Sequence, residues 1–166
     1  MKLLHRTAAG LLLFAIFLIA GCAQIPRVEA PNGIESQFWR GRLGLRVDSD
    51  PPQSFSAGFE LSGDAEQGAL RLFSPLGTTL ADLRWSPQSA TLSNNGETRQ
   101  FESLDALATQ ATGTAIPIAA LFQWLASVQT RADGWSADLS QLESGRLTAR
   151  RMQPLPVAEL RLVLER

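Results

Sequence analysis

The chain has 166 residues, 45% of them hydrophobic, with 15 Lys and Arg against 16 Asp and Glu, one Cys, one His and no Tyr. Lys2 and His5 are the only Lys and His and both precede Cys22. The rest of the chain therefore lacks a histidine base, a Schiff-base lysine, a second thiol, and nitrogen or sulfur ligands for zinc or copper, which leaves carboxylates as the catalytic option. Beyond Cys22, thirteen Arg face all sixteen carboxylates with no basic cluster, which argues against a nucleic-acid partner.

At the N-terminus, Lys2 and Arg6 make a positive start, and Leu11 to Ala20 is apolar and uncharged but too short to span a bilayer comfortably. The run stops at Ile19-Ala20-Gly21-Cys22, the bacterial lipobox pattern, in which small residues precede a cysteine whose thiol becomes a thioether to diacylglycerol. Residues 1–21 are therefore expected to be a lipoprotein signal peptide, and Cys22 the lipidated first residue of the mature chain. Each buried acyl methylene contributes about 0.8 kcal/mol, so two or three chains hold a protein at a membrane without a transmembrane helix. Asp directly after the lipidated cysteine commonly retains lipoproteins at the inner membrane. Ala23 stands there, and the expected address is the outer membrane, facing the periplasm. Residues 22–36, with Pro26, Pro31, Asn32 and Gly33, read as a lipidated tether, and one domain spans residues 37–166. With Cys22 consumed by lipid, that domain depends on an apolar core rather than a disulfide.

The domain opens in period two. Leu43, Leu45 and Val47 alternate with Arg42, Gly44 and Arg46, and Phe55, Ala57, Phe59 and Leu61 alternate with Ser54, Ser56, Gly58 and Glu60. Pro51 and Pro52 mark the turn between these two strands, and further strands are expected at Ala69–Phe73, Thr78–Trp85, Ser89–Leu92 and Thr98–Phe101, spaced as an antiparallel meander. Asn94-Asn95-Gly96 tolerates positive φ and predicts a hairpin. The period then becomes helical: Leu104, Leu107, Ala108 and Ala111 follow Ser103 as N-cap and end at Gly113. A second helix is expected to start at Pro117, with Ile118, Leu121, Phe122 and Leu125 on one stripe and Trp124 beside it. Alternation returns at Trp135–Leu139, Gly145–Arg151 and Val157–Leu164. The pattern predicts a mainly β (α+β) domain with a helical insertion, the meander either closing as a barrel or staying open with the helices over one mouth.

Between two of the strands, Ser74-Pro75-Leu76-Gly77 fits a type I turn with Leu76 third. A turn tip ordinarily takes a polar residue, so a large aliphatic there either tucks under its own hairpin or points outward into something apolar.

With that turn in place the chain resembles the outer-membrane lipoprotein receptor family known as LolB. The resemblance is carried by the lipobox, by Phe38-Trp39-Arg40-Gly41-Arg42, by Ser74-Pro75-Leu76-Gly77, and by the run from Gly113 through Ile116-Pro117-Ile118 and Leu121-Phe122-Gln123-Trp124 to Leu125. It implies an unclosed, strongly curved antiparallel β-barrel with a short helical lid over an apolar cavity that takes the acyl chains of cargo. It implies a monomer whose partners are acylated lipoproteins, a soluble periplasmic lipoprotein chaperone and outer-membrane lipid, with no cofactor. By motif match, Leu76 is the exposed leucine of the family's protruding loop, which places cargo in the membrane. Family members carry a glycine and a proline soon after the tryptophan and a longer connection; here residues 126–133 are brief.

The sites expected from these readings are Cys22 for lipidation, Leu76 for membrane insertion, and Phe55, Phe59, Leu72, Leu83, Ile118, Leu121 and Trp124 for the wall of an acyl-chain cavity, although the same residues suit a solid core. Transfer down a gradient of affinity needs no nucleotide, and no Gly-rich phosphate loop with its lysine is present in the sequence. Two rivals stand beside this reading. One is a carboxylate enzyme such as a glycosidase using Asp82, Glu97, Glu102 or Asp105. The other is a structural or protein-binding outer-membrane lipoprotein with a closed core.

Overall fold

The computed structural model describes residues 37–112 and 116–165, without the side chains of Asp105, Ala111 and Thr112. The readings made on the signal segment, Cys22, the tether and Gly113 to Ala115 lie outside the described residues. Ten strands run in chain order: β1 (Gln37–Val47), β2 (Gln53–Gly63), β3 (Gly68–Phe73), β4 (Thr79–Ser86), β5 (Ser89–Asn94), β6 (Glu97–Phe101), β7 (Arg131–Ala132), β8 (Trp135–Asp138), β9 (Arg146–Arg151) and β10 (Ala158–Leu164). Two helices, α1 (Leu104–Thr112) and α2 (Ile118–Leu125), separate β6 from β7, and one 3-10 turn, Leu142–Ser144, precedes β9.

The strands form one antiparallel sheet in the order β6-β5-β4-β3-β2-β1-β10-β9-β8-β7. First and last strands pair in its middle, with Leu45 opposite Leu160 and Leu43 opposite Leu162. β6 and β7 are left as unjoined edges, so the sheet is not closed. The segment from β6 to β7 must travel from one edge to the other, and it carries both helices.

Alternation sets the two faces. Inward, Leu45, Val47, Ala57, Phe59, Leu61, Leu70, Leu72, Leu83, Leu160 and Leu162 are buried. Outward, charges pair between strands and along them: Arg71 contacts Glu60 and Asp82 on the strands either side, Arg84 contacts Asp82 of its own strand, and Glu159 takes Arg150 of β9 and Arg161 of its own strand, both at 2.6 Å. Gly41 of β1 faces Leu164 of β10, and a Cβ there would collide with the Val163 carbonyl oxygen. No side chain fits there, which gives the glycine of the Phe38–Arg42 motif its physical reason.

Ser103 caps α1 as its sequence predicts, its Oγ accepting the Ala106 N–H at 3.1 Å. Pro117 differs by one step: it is the N-cap of α2, and helical geometry begins at Ile118. α2 buries Ile118, Ala120, Leu121, Phe122, Trp124 and Leu125, and Phe122 stands edge-on to both Trp39 of β1 and Trp85 of β4, with ring centroids 5.7 and 6.1 Å away. That aromatic clasp fixes the helix to two distant strands of the sheet. The helix stops abruptly. Ser127 adopts φ +64°, its N–H donates to the Trp124 carbonyl at 2.9 Å, and Val128 N–H donates to the Gln123 carbonyl at 2.8 Å. This is the paired bonding of a Schellman end with serine in glycine's usual place, and it turns the chain toward β7 within the brief connection.

Candidate functional site

The concave face and the helices enclose a wholly apolar cavity. Its wall comes from β1 (Leu43, Leu45), β2 (Phe55, Phe59), β3 (Leu70, Leu72), β4 (Leu83) and β10 (Leu160, Leu162), and its cover from Ala108, Ile116, Ile118 and Leu121. Register explains the grouping. Leu45 faces Phe55 and Leu160, Phe59 faces Leu72, and Leu70 faces Leu83, so consecutive strands deliver consecutive inward side chains to one surface.

Of the seven residues read from sequence as cavity wall, Phe55, Phe59, Leu72, Leu83, Ile118 and Leu121 come together here. Trp124 does not join them. It is fully buried, and its indole N–H donates to the Thr130 carbonyl at 3.0 Å, which ties α2 to the segment that follows it. Leu43, Leu45, Leu70, Leu160 and Leu162 line the cavity as well and were not singled out from the sequence. Their inward phase was legible, but no periodicity says which inward residues border empty space.

The empty space is small, about 40 Å³. A water needs about 10–15 Å³ by the same measure, so the cavity as it stands holds a few water-sized groups and not an acyl chain. Phe55 is its most open wall residue, 37% exposed at the start of β2. The register puts that strand end on the same side of the sheet as the β3–β4 turn, because Gly58 faces Phe73.

That turn carries Leu76. Gly77 N–H donates to the Ser74 carbonyl at 2.9 Å, closing the type I turn expected there, and Ser74 N–H donates to the Thr78 carbonyl at 2.8 Å. Gly77 at φ +83° then returns the chain to β4, the geometry of a three-residue hairpin connection. Ser74 Oγ accepts the amides of Leu76 at 3.3 Å and Thr78 at 3.2 Å. Leu76 is 94% exposed, so of the two orientations open to it, it takes the outward one.

The Asp105 side chain lies outside the described residues, and the other three carboxylates proposed for catalysis are dispersed. Asp82 lies on the outer face bonded to Arg71 and Arg84, whereas Glu97 is on the inner face beside Arg99, and Glu102 is exposed beyond β6. Asp82 and Glu97 cannot flank one bond from opposite faces of a sheet. Among the described residues no group of three His, Cys, Asp or Glu is arranged to hold a metal, and no helix is long and apolar enough to cross a membrane.

Comparison with known proteins bears on the whole domain. The family described as "Outer membrane lipoprotein LolB" matches residues 37–161. The outer-membrane lipoprotein LolB of Bordetella petrii is 32% identical over 164 residues, covering 82% of this chain and 81% of its own length. That of Bordetella pertussis is 32% identical over 158 residues, 79% of each chain, and that of Cupriavidus pinatubonensis is 32% identical over 125 residues, 72% of this chain and 60% of its own.

Proposed function

The chain belongs to the family of the outer membrane lipoprotein LolB, and from that premise we propose how its fold does the family's work. It is an outer-membrane lipoprotein that accepts lipoproteins from a soluble periplasmic chaperone and inserts them into the outer membrane, seating their acyl chains between sheet and helices on the way. The observation that supports this most is the cavity wall itself. Thirteen side chains from five strands and the helical segment, none of them polar, converge on one space.

An acyl chain enters such a space because each methylene leaving water gains about 0.8 kcal/mol. The space available in the closed molecule is far too small for a chain, so loading has to lift Ile118 and Leu121 away from the sheet. The Trp39–Phe122–Trp85 clasp then serves as the fixed end about which the cover moves. Onward transfer needs no energy source, since a free-energy drop of about 1.4 kcal/mol already biases it tenfold. Leu76, on the same side of the sheet as Phe55, delivers the chain into lipid.

The smallness of the cavity also favours one rival, a protein-binding lipoprotein whose core stays shut. Titration with a fluorescent fatty-acid analogue separates the two. Saturable uptake, reversed by an acylated lipoprotein but not by the same protein without its lipid, is the expected result. Absence of uptake would overturn the carrier reading.

A further inference from the structure

We propose that the recess between the tip of the β5–β6 hairpin and α1 seats the polar head of the cargo: the S-glyceryl cysteine, its ester and amide carbonyls, and the first peptide groups after it. This rests on the acyl-cavity reading and adds a place for the other end of the same ligand.

The inner face of the sheet changes character at this edge. Inward positions along β5 run Ala90, Leu92, Asn94, and their partners along β6 run Phe101, Arg99, Glu97. Hydrocarbon gives way to amide and charge toward the hairpin tip. A recess of about 330 Å³ opens there, its lining including Ala81, Leu92, Asn94, Glu97, Arg99 and Gln110. Its floor continues the cavity wall: Leu72 of the cavity faces Ala81 of the recess, and Leu83 faces Leu92. Residues so paired have Cβ atoms about 5 Å apart, so chain and head can be held together without a polar group crossing the apolar space. α1 spans both, with Ala108 over the cavity and Gln110 beside the recess.

The chemistry of a lipidated cysteine matches this split. Its chains meet at a neutral head rich in carbonyl acceptors, and burying such a head without hydrogen bonds is unfavourable. Arg99 offers five N–H donors on a side chain 61% exposed, and its Nη2 stands 3.6 Å from a Glu97 carboxylate oxygen. Asn94 and Gln110 offer an amide each. The recess has about 330 Å³ against about 40 Å³ for the acyl cavity by the same measure, so it has room for a polar group much larger than a few waters. Inward charges also guard an edge strand against pairing with a foreign sheet, and β6 is an edge. That rival predicts no discrimination between ligands with and without a head.

The test titrates the detergent-solubilised full chain, blanks subtracted, with two fluorescent ligands: diphenylhexatriene, a hydrocarbon without a head, and a dye-labelled synthetic triacylated cysteinyl peptide. In Arg99→Leu/Gln110→Leu, lipopeptide affinity is expected to fall about tenfold, the loss of one charge-assisted hydrogen bond, while diphenylhexatriene binding stays within about twofold. Arg99→Lys, which keeps a charged donor, should recover part of the loss. Equal effects on both ligands, or none on the lipopeptide, would overturn the head site. If the unaltered protein takes up neither ligand, the acyl cavity itself is what fails.

Discussion

Leu76 is held out rather than merely left out. Ser74 Oγ binds the amides on either side of Gly77, and Gly77 sits in the left-handed region, so the turn is stiffly tied and its third residue has no core within reach. A leucine so mounted leaves water only by entering another apolar phase, a gain of roughly 1.5–3 kcal/mol when burial is complete. Leu76→Glu reverses that gain without touching the fold, since substitutions at such exposed positions ordinarily change stability by no more than about 0.5 kcal/mol. The variant is expected to unfold at the same urea midpoint and to accept cargo from the chaperone, but to deliver little of it to liposomes, the cargo remaining in the soluble fraction after flotation. Normal delivery would remove Leu76 from the insertion step, and a lowered midpoint would make it a packing residue. Trp124 is the opposite case. Its place beside the apolar stripe suggested a cavity wall, and the distinction lies in one hydrogen bond to Thr130, a contact that no spacing rule reveals.

At the scale of elements, the outer face of the sheet holds its strands in register with charge. Glu159 on β10 takes Arg150 of β9 and Arg161 of its own strand, and its side chain is only 20% exposed. The hydrogen bond from Arg150 is the main reason its carboxyl lies below the ordinary value of 4.5; partial burial opposes the shift and Arg161 adds to it. A carboxyl lowered in the folded state contributes stability above its unfolded value and loses it as pH falls through the folded one. Glu159→Gln should therefore cost about 1 kcal/mol near pH 7, the upper range for exposed pairs, and progressively less below about pH 4.5. Urea midpoints of the two proteins near pH 7 and near pH 3 test this, and a gap that does not shrink in acid would refute it. The same alternation of charge and hydrocarbon made this face legible from sequence. β1 and β2 follow their period-two runs, and the Asn95-Gly96 hairpin follows its positive-φ pair. β7 was not legible, because two residues, Arg131 and Ala132, are too short to show a period. Nor was the pairing of β1 with β10, since alternation fixes a strand's faces but not its neighbours.

At the scale of the molecule, the chain faces competing demands: a core filled tightly enough to stay folded and a core that yields to a guest. A wholly apolar wall around about 40 Å³ is a compromise between them, packed closely enough to hold the fold and unfilled enough that the cover is not locked down. Ala108 sits where the two demands meet, 2% exposed on α1 and facing the cavity. Ala108→Leu adds hydrocarbon to the space, worth up to about 2 kcal/mol by burial and offset by about 1–3 kcal/mol if the fit is strained. The apo protein should thus change by roughly 1 kcal/mol or less in either direction, while acyl uptake falls several-fold because the guest must now displace a side chain. Ligand linkage reads both effects at once: at a hundredfold excess over Kd the unaltered protein gains about 2.7 kcal/mol, and the variant should gain distinctly less at the same ligand concentration. Ala108→Val, a smaller addition, guards against a variant that simply misfolds and should fall between the two. If either variant folds well and still gains the full ligand stabilisation, the guest sits elsewhere, and the apolar space under α1 is a packing defect rather than a seat.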